Sequence, residues 1–306
     1  MLRNCILFLL LPFHLNLWSQ EIQIFKVKDF DLKGNVKSCL VITSYGKEQF
    51  EFNQEGLLTK TITQYNDKDQ DITYYKYEGG ELREKRMESY KDNVLDAATS
   101  MANFYTIDTL ERRKIYEKII SYDKEFLEQQ EYIYDDNDRL IKIITSNEGG
   151  VDETTLDYAT VKNEITTSYY INEILEKSIR VSEVNGKAGP QKIVLTKEYI
   201  DGDPHMANEK VYDISQRLIA KQVFIYNMEK QEFDAEKKML YSYDVDGMLE
   251  KVITTTKNSE AIKEYIFQFD DKEEKNWVKQ IITPDNTYTT RKIVYYPTVI
   301  EEGDSN

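Results

Sequence analysis

Near the middle of the chain runs Tyr132-Ile133-Tyr134-Asp135-Asp136-Asn137-Asp138-Arg139-Leu140-Ile141-Lys142-Ile143, from which the fold class follows. Tyr132 and Tyr134 stand two apart, as do Leu140, Lys142 and Ile144, and a period of two places each set on one face of a β-strand. Between them Asp135 is positioned to open a tight turn, because its carboxylate can accept from backbone amides two residues further on. Asp138 falls where a type I turn followed by a left-handed residue needs positive φ, a conformation that Gly, Asn and Asp tolerate best. The stretch therefore reads as strand, turn, strand.

Degenerate copies recur along most of the chain. Phe52-Asn53-Gln54-Glu55-Gly56-Leu57-Leu58 and Tyr243-Asp244-Val245-Asp246-Gly247-Met248-Leu249 repeat the layout, with Asn53 and Asp244 opening the turn and Gly56 and Gly247 in the left-handed slot. Tyr212-Asp213-Ile214-Ser215-Gln216-Arg217-Leu218 keeps the spacing, with Asp213 as opener and Gln216 in the slot. Tyr77-Glu78-Gly79-Gly80-Glu81-Leu82 is one residue short, Phe269-Asp270 to Trp277 is two residues long, and fainter copies begin at Tyr105 and Tyr158. The one long gap in the series, between Tyr158 and Tyr212, has room for a diverged copy near Asn185-Gly186. Near-even spacing of this kind marks a repeat architecture. One turn recurs inside every unit, and a variable one, such as Asn147-Glu148-Gly149-Gly150 or Pro284-Asp285-Asn286, joins successive units. The expected fold is all-β, an elongated, twisted antiparallel β-meander of hairpin repeats roughly 25–30 residues long.

Tyr-Asp-x-x-Gly-x-Leu at this interval resembles the tyrosine-aspartate (YD) repeats of Rhs-type β-shell proteins, and more closely the repeats of short secreted proteins of Bacteroidota. Leu32-Lys33-Gly34-Asn35-Val36-Lys37-Ser38 and Asn276-Trp277-Val278-Lys279 resemble the entry and exit segments of that second group. The resemblance spans roughly residues 30 to 296 and implies a non-catalytic β-repeat domain. In Rhs-type proteins many repeats wind into a shell around cargo. Eight or nine units are too few for such a shell, and the sequence holds no toxin or protease segment.

Residues 1–19 carry Arg3, a short apolar run from Cys5 to Leu17, and Ser19, the pattern of a secretory signal peptide cleaved after Ser19. The run is shorter than the about 20 apolar residues of a membrane span, and no transmembrane span is expected downstream. The domain layout is therefore a signal peptide over 1–19, a β-repeat domain over 20–297 and a polar, acidic tail over 298–306. Loss of Arg3 and no acid moves the formal charge from −15 to −16. An acidic surface of that size repels nucleic acid and anionic lipid. After cleavage Cys39 and His205 stand alone of their types, which excludes an internal disulfide and argues against a structural zinc site. Cys39 reads as a small, half-buried strand residue.

Charged residues make up 31% of the chain, above the roughly 25% usual for globular domains. The 23 tyrosines still argue for order, since a Tyr ring packs while its hydroxyl meets water. Ile115, Ile119, Tyr122 and Phe126 would also fit a helix face, but the repeat context reads Arg113 to Tyr122 as strand, and Val94 to Phe104 as a short helix or long loop.

Few residues are arranged for chemistry. Asp135, Asp136 and Asp138, or Asp244 and Asp246, lack the twelve-residue spread and closing Glu of a calcium loop, so they read as turn residues. No metal or cofactor is expected, and no phosphate loop, nucleophile elbow or paired-carboxylate site stands out. Asp108-Thr109-Leu110 resembles the O-glycosylation acceptor of Bacteroidota. Tyr75 with Tyr77, Tyr132 with Tyr134, and Tyr241 with Tyr243 each face one way and could align into an aromatic stripe; cross-strand stabilisation of the sheet explains the same pattern. The reading is a secreted or periplasmic, non-enzymatic binding or scaffold module with an unknown protein or glycan partner. Its alternatives are carbohydrate or cell-wall binding through the tyrosine stripe, and an acid-based hydrolase. Oligomeric state is not legible in the chain.

Overall fold

The computed structural model describes residues 22–186 and 189–297. The signal segment expected over 1–19 and the tail over 298–306 lie outside the described residues. Ahead of the sheet, Val27–Phe30 forms one turn of 3-10 helix, started by Lys26 N–H donating to Asp29 Oδ2 at 2.7 Å. The strands then follow in order. They are β1 (Val36–Thr43), β2 (Gly46–Phe52), β3 (Leu58–Gln64), β4 (Gln70–Glu78), β5 (Glu81–Lys91), β6 (Val94–Leu95) and β7 (Met101–Asp108). Next come β8 (Lys114–Ser121), β9 (Phe126–Tyr134), β10 (Leu140–Asn147), β11 (Gly150–Val161), β12 (Glu164–Ile171), β13 (Ile174–Gly186) and β14 (Gly189–Ile200). The last are β15 (Asp203–Tyr212), β16 (Leu218–Asn227), β17 (Glu232–Tyr243), β18 (Leu249–Thr256), β19 (Glu260–Phe269), β20 (Trp277–Thr283) and β21 (Thr287–Tyr295).

The strands pair antiparallel with their neighbours in sequence, and the meander does not stay open. β21 pairs with β1 from Val36↔Tyr295 to Ile42↔Thr290, closing the sheet on itself. The two-residue β6 pairs with β5 alone while β5 passes on to β7, so the ring contains 20 strands. The expected elongated meander is corrected to a closed barrel. Closure removes the two open edges that a meander would leave. Val94 to Phe104 is also corrected: it contains β6 and the start of β7 rather than a helix or a bare loop. Arg113 to Tyr122 contains β8.

The repeated turns behave as their chemistry requires. Asp135 Oδ1 accepts from the Asn137 and Arg139 amides, both at 2.9 Å; Asn53 Oδ1 accepts from Glu55 and Leu57, Asp213 from Arg217, and Asp244 from Asp246 and Met248. The left-handed slot holds Gly56 at φ 76°, Asp138 at 59°, Gln216 at 60° and Gly247 at 81°. The gap near Asn185-Gly186 is also a hairpin, with β13 and β14 paired out to Gly186↔Gly189. An added Cβ would sit 3.6 Å from Val27 Cγ2 at Gly56 and 3.6 Å from Arg217 Nη1 at Gly247, so there is room for it. The cost of substitution is then in the backbone, and Gly56→Val and Gly247→Val should each destabilise the fold by about 1–2 kcal/mol. Unchanged thermal melts for both would contradict this account of the turn.

The hairpins that begin at Phe52, Tyr77, Tyr134, Tyr212, Tyr243 and Phe269 carry a bulge beside the turn, for example between Leu140 and Lys142 and between Val211 and Tyr212. A bulge disturbs the ladder locally. In three places the leading Tyr of the next unit supplies a donor there. Tyr77 donates to Leu58 O at 2.7 Å, Tyr158 to Leu140 O at 2.7 Å and Tyr243 to Leu218 O at 2.8 Å. The Arg before two of these Leu residues stacks on the same ring, Arg139 over Tyr158 at 5.1 Å and Arg217 over Tyr243 at 4.9 Å. The Tyr and Leu of the motif thus meet between units, which gives the repeat a physical purpose beyond its turn.

Following the cross-strand register around the ring sorts the side chains into two faces. One holds Tyr75, Tyr105, Tyr132, Tyr169, Tyr212 and Tyr241. The other holds cross-strand ion pairs, including Lys60–Glu51 at 4.0 Å, Lys114–Glu131 at 3.0 Å, Lys142–Glu153 at 2.7 Å and Lys251–Glu264 at 3.3 Å. The tyrosine face is the inner one. The N-terminal segment lies against it, with Phe25 6.4 Å from Tyr75 and Phe30 4.5 Å from Phe50, centroid to centroid. Burial also raises the pKa values of Tyr169, Tyr212 and Tyr265 on that face.

The entry and exit segments meet where the ring closes. Asn276, 2% exposed, accepts from Lys33 N–H at 2.8 Å and donates to Lys33 O at 2.8 Å, and Trp277 Nε1 donates to Asp31 Oδ2 at 2.7 Å. Arg291, 6% exposed, donates to the Phe30 and Asp31 carbonyls at 3.0 Å each, and its guanidinium lies 3.4 Å from the Trp277 ring centroid. Phe30, Leu32, Val36, Cys39, Phe50 and Phe52 pack into one core beneath this contact. Cys39 is fully buried rather than half-buried, and burial pushes its thiol up to about 11, which makes it inert.

Candidate functional site

The six tyrosines picked out by period two all lie on the inner face, but they are not equivalent. Tyr132 is 9% exposed and Tyr134 is fully enclosed; they form a second core with Ile115, Leu140, Ile143 and Leu156. The Tyr132 hydroxyl donates to Glu117 Oε2 at 2.9 Å, while Glu117 Oε1 accepts from Tyr105 at 2.9 Å and Asn103 at 2.6 Å. Tyr77 and Tyr243 spend their hydroxyls on the bulge carbonyls, and Tyr75 packs on Phe25. These five are used by the fold. Tyr241 is different: it is half-buried, and among the described residues its hydroxyl reaches one partner, the Met239 sulfur, at 3.7 Å.

Around Tyr241 the register assembles a second aromatic patch that period two in the sequence did not single out. Tyr212 on β15 and Tyr265 on β19 flank it on the same face, and among the described residues neither hydroxyl has a hydrogen-bond partner. Burial pushes Tyr241 up to about 12, with the neighbouring Tyr243, Tyr265 and Tyr212 adding to the rise. Both Tyr212 and Tyr265 are also raised by burial. Half-buried rings with unspent hydroxyls on a concave wall combine an apolar stacking surface with polar groups that can orient a ligand.

Lysines continue this wall away from the tyrosines. Lys210 lies two residues before Tyr212 on β15, and Lys237 lies on β17 in the same alternating set as Met239 and Tyr241. Lys221 on β16 pairs directly with Lys210 on one side and with Met239 on the other. None of the three makes an ion pair among the described residues. Burial lowers the Lys210 ammonium pKa, and Lys221 opposite lowers it further. Alternation along the chain did not mark this pairing, because the bulge between Val211 and Tyr212 that sets Lys221 opposite Lys210 belongs to the structure.

Asp135, Asp213 and Asp244 are spent within their own turns, while Asp136 and Asp138 pair with Arg112 and Arg113 of the neighbouring unit, each at 3.0 Å. Asp135 Oδ2 accepts from Arg139 Nε and Nη2 at 2.9 and 2.6 Å, and these bonds with the backbone amides hold Asp135 down at about 2. Among the described residues no three or more His, Cys, Asp or Glu side chains converge as a metal site, and no helix is long and apolar enough to cross a membrane.

No protein-family model and no curated protein matches the chain. Among solved structures it is similar to a protein of unknown function from Bacteroides fragilis NCTC 9343, at 14% identity and a TM-score of 0.20, over 56% of this chain and 92% of the other. It is also similar to a porin-like protein from Bacteroides vulgatus ATCC 8482, at 10% identity and a TM-score of 0.26, over 86% of this chain and 99% of the other. At TM-scores this low neither likeness bears on what this chain does.

Proposed function

We propose that the chain is an exported, non-enzymatic binding module of the cell envelope, built of tyrosine-aspartate-type repeats, whose ligand docks on the inner wall at Tyr212, Tyr241 and Tyr265. The observation that carries this reading is the contrast among the inner-face tyrosines: Tyr77, Tyr105, Tyr132, Tyr158 and Tyr243 bond through their hydroxyls and Lys177 sits over Tyr169 at 4.1 Å, while among the described residues the half-buried Tyr212, Tyr241 and Tyr265 have no oxygen or nitrogen partner. A glycan suits such a wall, since a sugar presents C–H groups to a ring face and hydroxyls at its edge. The Tyr-to-Leu contact between units supports the repeat assignment, because it gives both motif residues a role in joining neighbours.

A barrel that crosses a bilayer needs an outward apolar band, and each Lys or Arg at its midplane costs about 2–4 kcal/mol. This ring has Lys114–Glu131 and Lys142–Glu153 on one face and Glu48, Asp71, Glu117 and Lys210 on the other. Neither face forms such a band, which favours a barrel standing in water, secreted or periplasmic. The hydrolase alternative is weakened by Glu117, whose carboxylate is held by three protein donors rather than turned toward a substrate.

Retention of the purified protein on insoluble cell-wall polysaccharide tests the reading. Replacing Tyr212, Tyr241 and Tyr265 together by Ala should reduce retention at least tenfold, the effect of losing about 1.4 kcal/mol. Equal retention of a folded triple variant would overturn it.

A further inference from the structure

Resting on that reading, we infer that the ligand is anionic: a short acidic saccharide whose carboxylate or sulfate lies between Lys210 and Lys221, with Lys237 beside it and the sugar ring on Tyr241. Lys210 and Lys221 stand directly opposite each other on neighbouring strands. Such partners have Cβ atoms about 4.5–5.5 Å apart, and like charges in that position repel. On a concave wall water screens the repulsion less than on an open surface. The chain does not lack acids to relieve it, with 55 Asp and Glu against 40 Lys and Arg. Other lysines of the same region do find carboxylates, as in Lys230–Asp234 at 3.1 Å, Lys257–Glu236 at 3.8 Å and Lys263–Asp285 at 3.3 Å. The two lysines are therefore opposed, unpaired and next to an unspent aromatic patch.

The neighbouring rings decide the class of anion. Tyr212 follows Lys210 by two residues on the same face, and Tyr241 follows Met239, the partner of Lys221. A bare ion would use the ammonium groups and leave the rings idle. A sugar acid uses both, stacking its ring while its charge sits between the lysines. A net charge of −15 over the whole chain repels a long polyanion and leaves a short ligand favoured at this local positive patch.

Calorimetric titration of the full exported chain with trigalacturonate, neutral galactotriose and sodium sulfate, at matched ionic strength, tests the inference. Trigalacturonate should bind at least tenfold tighter than galactotriose and weaken as salt rises. Lys210→Gln and Lys221→Gln should bring trigalacturonate down to the neutral sugar's level, while Tyr241→Ala should weaken both sugars. Without ligand, Lys210→Gln should melt no lower than the parent, since it removes a repulsion. Equal binding of the acidic and neutral sugars would overturn the anion assignment and leave the tyrosine wall standing. Sulfate binding as tightly as trigalacturonate would overturn the saccharide. Binding of neither sugar would overturn the inference whatever the wall-polysaccharide retention shows, and loss of that retention in the tyrosine variant is read separately.

Discussion

Arg291→Met should lower the stability of the barrel by about 3 kcal/mol, a drop of roughly 5 °C in melting temperature for a chain of this size. The guanidinium is buried and bridges two carbonyls, those of Phe30 and Asp31, to the last strand. Met fills similar volume but carries no donor, so both carbonyls would stay buried and lose a charge-assisted bond. The stacking on Trp277 would also be lost. Lys26, Lys28 and Lys33 lie in or beside the N-terminal segment, so trypsin should cut there faster in the variant than in the parent. Asn276→Ala removes the paired bonds to Lys33 in the same contact, so the two substitutions together should cost less than their sum. A parent-like melt with unchanged trypsin resistance would mean that the ladder between β1 and β21 closes the barrel without help from this segment.

The largest expected effect concerns strand parity. Deleting residues 213–243 removes β16 and β17 and joins Tyr212 to Asp244, so the turn becomes Tyr212-Asp244-Val245-Asp246-Gly247-Met248-Leu249. Two strands leave together, every remaining strand keeps its direction, and β21 can still meet β1 antiparallel. That variant should fold as a smaller ring with a modest loss of stability. Deleting residues 213–226 removes the turn and nearly all of β16 alone. Every later strand would then run against its former direction, and β21 would meet β1 in parallel, which the observed antiparallel register does not allow. The inner and outer faces would also exchange beyond the junction. The half-unit variant should aggregate or be degraded. Circular dichroism, size exclusion and limited proteolysis on both proteins decide the matter, and equal damage from the two deletions would show that the units are not interchangeable parts of a ring.

Much of the local structure was legible because its causes are local. Asn53, Asp135, Asp213 and Asp244 open turns through their own side chains, and Gly56, Asp138, Gln216 and Gly247 sit at positive φ as the turn type requires. Alternation of residues placed Tyr75, Tyr132 and Tyr241 on one face. Val94 to Phe104 was not legible, since β6 is two residues long and leaves little periodicity to read.

The candidate site was half visible. Tyr241 could be named from its alternation with Tyr243, but nothing in either residue says that one hydroxyl is bonded to Leu218 and the other is not. That distinction depends on a carbonyl presented by another unit. Lys210 and Lys221 look like ordinary strand lysines until the register sets them opposite each other.

Composition, turn chemistry and two-residue alternation by themselves determine that this chain is antiparallel β, where its repeated hairpins turn, and which side chains share a face. That the sheet closes is a property of the tertiary fold. Closure depends on small twists summed over twenty strands and on Lys33, Asn276, Asp31, Trp277 and Arg291 meeting across nearly the whole chain, and no local pattern encodes either quantity.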